Sequence, residues 1–231
     1  MMLVRPRIAA LVVLVALSAC TTTRVDVAED ININWTTEQK RVLLVEPDVQ
    51  LGELTAGGTF EPRADWTQSA QRYITREASR IMRGGAIDLV QIDKLEDPRE
   101  FQLTKLHGAV GQAALVHLFT PGMALPNKTK AMDWTLGPGT NIMRDRYDAD
   151  YALFMYVRDS YTTAGRAFLM VGAAMFGVGV QGGTQVGYTS LVDLRTGDVI
   201  WFNLLTSSGG DLRTAEPARE VVQKLLEGLP L

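Results

Sequence analysis

A chain of 231 residues with 46% hydrophobic and 21% charged side chains is neither a disordered tail, a collagen-like fibre nor a polytopic membrane protein. Its formal charge of −3 argues against nucleic acid as a partner, and its single cysteine excludes an internal disulfide. The length suits one domain with a sizeable core.

The amino end is specialised. Arg5 and Arg7 precede an unbroken apolar run from Ile8 to Leu17, and Leu17-Ser18-Ala19-Cys20 then gives way to three threonines. A short basic segment, an apolar stretch and a small-residue site together form a secretory signal. Ten apolar residues fall well short of the roughly 20 that span a bilayer as a helix, so the segment reads as cleaved. The four residues ending in Cys20 resemble the lipobox of bacterial lipoproteins. That resemblance implies a cut before Cys20, diacylation of its thiol and acylation of the new amine. One acyl chain binds a membrane only marginally, whereas two or more hold it stably, at about 0.8 kcal/mol per buried CH₂. In such lipoproteins Asp after the cysteine favours the inner membrane. Thr21 in that place implies the outer membrane, with the chain facing the periplasm and the lipid bilayer as its first partner. Without Arg5 and Arg7, 21 basic side chains stand against 26 acidic ones, a formal charge of −5. Residues 1–19 are expected to be the signal, 20–37 a lipidated, flexible, polar tether, and 38–231 one periplasmic domain, with 164–184 as an apolar insertion.

Along that domain, Arg41-Val-Leu-Leu-Val45 is an apolar run stopped by Glu46-Pro47-Asp48, the pattern of a buried strand ending in a turn. After a Gly-rich loop, Asp65-Trp-Thr-Gln68 predicts a helix capped by Asp65, its apolar spacing carried by Ala70, Tyr73, Ile74, Ala78, Ile81 and Met82 and its end marked by Gly84-Gly85. A second strand is expected from Ala86 to Ile92. Asp97-Pro98-Arg99-Glu100 then opens a helix whose stripe is Phe101, Leu103, Leu106, Val110, Ala113, Ala114 and Leu118, closed by Pro121-Gly122. Ala149 to Arg158 reads as a central strand. Gln185–Leu194 and Val199–Leu205, joined by Arg195-Thr-Gly-Asp198, form a hairpin, and Thr214 caps a last helix with Val221, Val222, Leu225, Leu226 and Leu229 on one face.

This order predicts an α/β (α+β) class domain in three layers, a mixed sheet flanked by helices, with parallel pairing early and antiparallel pairing late. Arg41-Val-Leu-Leu-Val45, Ala149-Asp-Tyr-Ala-Leu-Phe154 and the hairpin from Val192 to Trp201 resemble envelope α/β lipoproteins with domains like those of the curli secretion channel CsgG, the penicillin-binding-protein activator LpoB and the amino-terminal domain of TolB. The resemblance implies a non-enzymatic lipoprotein that binds or supports another envelope component. A subunit of an oligomeric export channel is the second reading, and a hydrolase with an unmarked site the third, with Glu46, Asp48 and His107 as its candidates.

Four constellations bear on function. Arg72, Arg76, Arg80 and Arg83 recur at four, four and three residues, lining one helical face with only Glu77 nearby; this is either a solvated face or a surface for an acidic or phosphate-bearing partner. Ala167–Val180 is charge-free, and reads either as a buried helix or Gly-flexed strand or as a protrusion meeting a membrane or another subunit. Gly177-Val-Gly179-Val-Gln-Gly182 matches G-x-G-x-x-G, but the residues after it look like a strand where a dinucleotide site needs a helix, and no acidic residue follows about 20 positions on in the required strand–helix–strand context, so no cofactor is expected. His107 and His117 lie about 80° apart around a helix and make no metal pair. His117 falls on the apolar stripe and reads as a hydrogen-bonded core residue. No protease, hydrolase or NTPase motif occurs, so no catalytic residue is assigned.

Overall fold

The computed structural model describes residues 21–27, 40–85, 87–128, 132–207 and 209–230. Among them the chain runs β1 (Thr21–Val27), β2 (Arg41–Leu44), β3 (Asp48–Leu54), β4 (Phe60–Pro62), α1 (Ala64–Met82), β5 (Asp88–Gln91), α2 (Pro98–Phe119), α3 (Asn141–Tyr147), β6 (Tyr151–Thr162), α4 (Ala164–Ala174), β7 (Gln185–Asp193), β8 (Val199–Ser207) and α5 (Ala215–Leu225). The strands form one mixed sheet in the order β1-β8-β7-β6-β2-β5.

The twelve residues of β6 are its spine. Their first part pairs in parallel with β2, from Val42 opposite Tyr151 to Leu44 opposite Leu153, and the rest with β3, from Asp48 opposite Tyr156 to Leu54 opposite Thr162. β5 continues the parallel side beyond β2, β4 turns back antiparallel on β3, and β7, β8 and β1 follow antiparallel on the other flank. The β7–β8 turn is built as its residues dictate. Asp193 Oδ1 accepts from the amide of Arg195 at 2.7 Å, and Gly197 takes a positive φ of 86°.

Alternation along the central strands divides the core. Trp201 and Leu205 join the cluster beneath α1 and α5, whereas Phe202 and Leu204 join the cluster beneath α2 and α3. The result is the three-layer α/β arrangement expected from the order of elements, with the hairpin and carboxy-terminal helix in place.

Several local expectations change. The run from Arg41 does not end in a turn at Pro47, because the strand resumes at Asp48 as β3. Pro47 has no N–H to donate and sits in the gap, where the β6 ladder passes from one segment to the other. Thr21–Val27, within the stretch expected to be a tether, is an edge strand registered on β8. Its threonines and valines are β-branched, and that suffices beside a preformed edge. α1 begins at Ala64, with Arg63 rather than Asp65 at the cap and Asp65 in the first turn.

α2 buries a different face from the one its large residues mark. Leu103, Thr104, His107, Gly108, Gly111 and Ala114 face the sheet, while Phe101 and Leu106 are exposed. The cause is Tyr188, which stacks on Tyr156 at 4.6 Å and donates its hydroxyl to the carbonyl of Gly108 at 2.5 Å. A Cβ at Gly111 would lie 2.2 Å from that ring, so glycine admits the tyrosine against the helix backbone. Ala167–Val180, for which a buried segment was one reading, holds most of α4 and the turn after it, and it stands largely exposed.

Candidate functional site: an arginine-lined groove

α1 packs Ala70, Ile74, Ala78 and Met82 onto the sheet and turns Arg72, Arg76, Arg80 and Arg83 outward, all four exposed. Between this face and the ends of β2 and β5 lies a groove of about 680 Å³, to which all four arginines contribute. The carboxyl ends of parallel strands, where Glu46 and Asp93 follow β2 and β5, are the usual ligand side of an open α/β sheet.

The groove's charges are unequally committed. Arg80 makes a two-point pair with Glu77, its Nε 2.9 Å from Oε2, and this contact holds the buried Glu77 carboxyl below its usual range. Arg72 donates to Ser69 Oγ at 3.0 Å, Arg76 lies over the Tyr73 ring at 5.4 Å, and the Arg83 side chain has no ion pair or hydrogen bond among the described residues. Glu46 accepts from Gln71 Nε2 at 2.7 Å and from the Leu95 amide at 2.9 Å, so its charge is spent on fixing the loop after β5. Ser79 and Gln91 bond one another across the floor at 2.5 Å. Guanidinium donors above a wall of amide and hydroxyl groups suit an anionic, hydrogen-bond-accepting group. Sequence spacing finds the arginines; the lining by Gln68, Thr75 and Gln91 depends on how α1 docks.

The candidate acids and bases have structural partners. Asp48 is an ion-pair hub, with Lys105 Nζ at 2.8 Å and Arg158 Nη2 at 2.9 Å. His107 is buried and hydrogen-bonds Ser190 Oγ at 2.8 Å, stacked on Phe154 at 5.1 Å. Burial lowers its pKa to about 3, against a smaller opposing pull from Asp48, so the imidazole is neutral. A His–Ser pair invites comparison with a nucleophile and base, but both side chains are 1% exposed and the Asp48 carboxylate is bound to Lys105 and Arg158. No substrate reaches it. His117, expected in the core, is instead half-buried, bonded to the Met123 carbonyl at 2.6 Å and stacked beside Trp134, because the core-facing side of α2 turns away from it.

One buried acid escapes sequence reading altogether. Asp159 accepts from Tyr161 Oη at 2.6 Å and from Gln185 Nε2 at 2.9 Å, and burial raises its pKa despite those bonds. Its signal would have been a lone Asp among the apolar residues of β6. Gly177–Gly182 follows a helix and leads into β7, the reverse of a dinucleotide loop. Among the described residues no group of three or more His, Cys, Asp or Glu could hold a metal ion. Cys20 lies outside the described residues.

No family model matches the chain, and no curated protein matches it. Among solved structures it is similar to the PelC dodecamer from Paraburkholderia phytofirmans, at 15% identity and a TM-score of 0.40, over 90% of this chain and 95% of that one. A variant of the PelC dodecamer from the same organism gives 14% identity and a TM-score of 0.39, over 90% and 96%.

Proposed function

We propose that the protein is an outer-membrane lipoprotein of the CsgG, LpoB and TolB amino-terminal type, anchored through acylated Cys20. Its periplasmic α/β domain binds or supports another envelope component by contact rather than by turnover. The observation that carries the reading is the ordered run of Arg5 and Arg7, ten apolar residues and Leu17-Ser18-Ala19-Cys20, immediately ahead of the domain's edge strand. Anchoring confines the domain to one surface and raises its local concentration there. The groove along α1 offers the partner-facing chemistry, three guanidinium groups without a carboxylate partner among the described residues, beside a polar wall. Self-association as an export-channel subunit is the alternative form of the same contact.

Cross-linking in intact envelopes tests the contact. The wild-type chain should give a discrete adduct, reduced at least fivefold by Arg76→Glu/Arg83→Glu and by Cys20→Ser. An adduct unchanged in the double variant removes the groove from the account, and a ladder of self-adducts alone favours the channel subunit.

A further inference from the structure

α4 and the turn after it play no part in the groove. No charged residue occurs from Ala167 to Val180. Phe168, Met175 and Phe176 are 83, 81 and 85% exposed, and Leu169, Val171 and Val178 are exposed with them. A helix apolar on nearly every side is normally covered by a core or a membrane, and a contiguous apolar patch marks an interaction surface. Its base is clamped. Arg166, buried, donates from Nε to the Gln181 carbonyl at 2.8 Å and from Nη1 to the Thr55 carbonyl at 3.3 Å, while the Gly183 amide donates to Thr162 Oγ1 at 2.7 Å. The apolar tip is thereby held away from the sheet rather than folded back on it.

Strand register tells which end of the molecule carries this tip. Asp159, near the end of β6, faces Gln185; Gln185 faces Ser207; and Ser207 faces Thr21. The chain therefore enters β1 at the end of the sheet from which α4 projects, three strand spacings or roughly 15 Å across. Cys20 immediately precedes Thr21 in the sequence. The β3–β4 hairpin reaches the same end, since Leu54 faces both Thr162 and the exposed Phe60.

From this juxtaposition we infer that α4 is a second membrane contact, an interfacial helix that lies in the leaflet holding the lipid of Cys20. Its choice of a bilayer over a second copy of the chain rests on the reading of Cys20 as the anchor. The eleven residues of α4 cover roughly 16 Å, about half the hydrocarbon thickness, so it lies in the interface and does not span. Two attachments fix the domain's orientation. One lipid tether alone leaves it free to swivel.

The test uses residues 20–231 with Cys20→Ser, so that neither an acyl group nor the apolar run from Ile8 to Leu17 contributes, floated with vesicles of phosphatidylethanolamine and phosphatidylglycerol. Phe168→Ser/Phe176→Ser alters only exposed positions, and an unchanged melting curve verifies the fold. The parent should partition into vesicles at least tenfold more than the double variant. A polarity-sensitive dye on Met175→Cys should shift to the blue on adding vesicles. Equal partitioning of the two forms overturns the inference. So does a dye shift that follows protein concentration without lipid, which assigns α4 to a second copy. If palmitate never reaches Cys20 of the wild type yet partitioning depends on Phe168 and Phe176, the anchor reading fails and the α4 contact stands; acylation with partitioning independent of α4 gives the reverse.

Discussion

Burial sets the chemistry of His107. In the unfolded chain its imidazole takes a proton near 6.5, and in the folded chain only at about 3, so acidification favours unfolding over the interval between. The contribution of His107 to stability is complete above about pH 6.5. It is lost progressively as pH falls from there toward 3. His107→Gln retains a donor toward Ser190 and removes the titration, so urea midpoints measured at pH 7.5, 5.5 and 4.5 should fall less steeply than in the wild type; parallel slopes would show that another group governs the acid limb. Asp159 has the opposite sign. Its raised pKa means that stability is greatest when the carboxyl is protonated and is lost as pH rises through the folded value. Asp159→Asn keeps an acceptor for Tyr161 and Gln185, so at pH 7.5 its urea midpoint should equal or exceed that of the wild type. A lower midpoint would mean that the carboxylate charge itself is required. The sequence shows neither environment, since a histidine on a helix and an aspartate in a strand carry no mark of what packs over them.

Elements whose signals are local were legible. Asp97 caps α2, its Oδ1 accepting from the Arg99 amide at 2.9 Å, and bonds from Arg99 hold its carboxyl down at about 2. α5 buries Ala218, Val221, Val222 and Leu225 as its periodicity implies. The face of α2 was not legible, because large apolar residues usually mark the buried side and here small ones do, making room for Tyr188. Gly111→Ala should therefore cost about 2 kcal/mol by overpacking, a fall in Tm of roughly 4–8 °C, whereas Gly139→Ala, with nothing within 4 Å of the added carbon, should leave Tm nearly unchanged. Equal melting temperatures for the two variants would show that the Tyr188 ring yields without cost. β1 was hidden for another reason. An edge strand needs only β-branched residues and a free neighbour, and seven residues rich in Thr and Val look the same in a tether.

At the scale of the whole molecule, the alternation of strands and helices was enough to give the class and layering, because each apolar run demands cover on both faces. What the order could not give is which features share an end of the sheet. Long-range register sets Thr21, the β3–β4 hairpin and α4 together, while the arginine groove begins beside Glu46, eight residues back along the β2–β3 line or roughly 26 Å from Leu54. A domain held at one end would thus present its basic groove clear of the surface, which joins anchor, orientation and contact in a single arrangement.

All of that arrangement depends on Cys20. Labelled palmitate supplied to cells making the wild-type chain or Cys20→Ser tests it most directly. The account predicts label on the wild-type chain in the outer-membrane fraction, and none on the variant. Label retained on Cys20→Ser, or a wild-type chain without label, would contradict it.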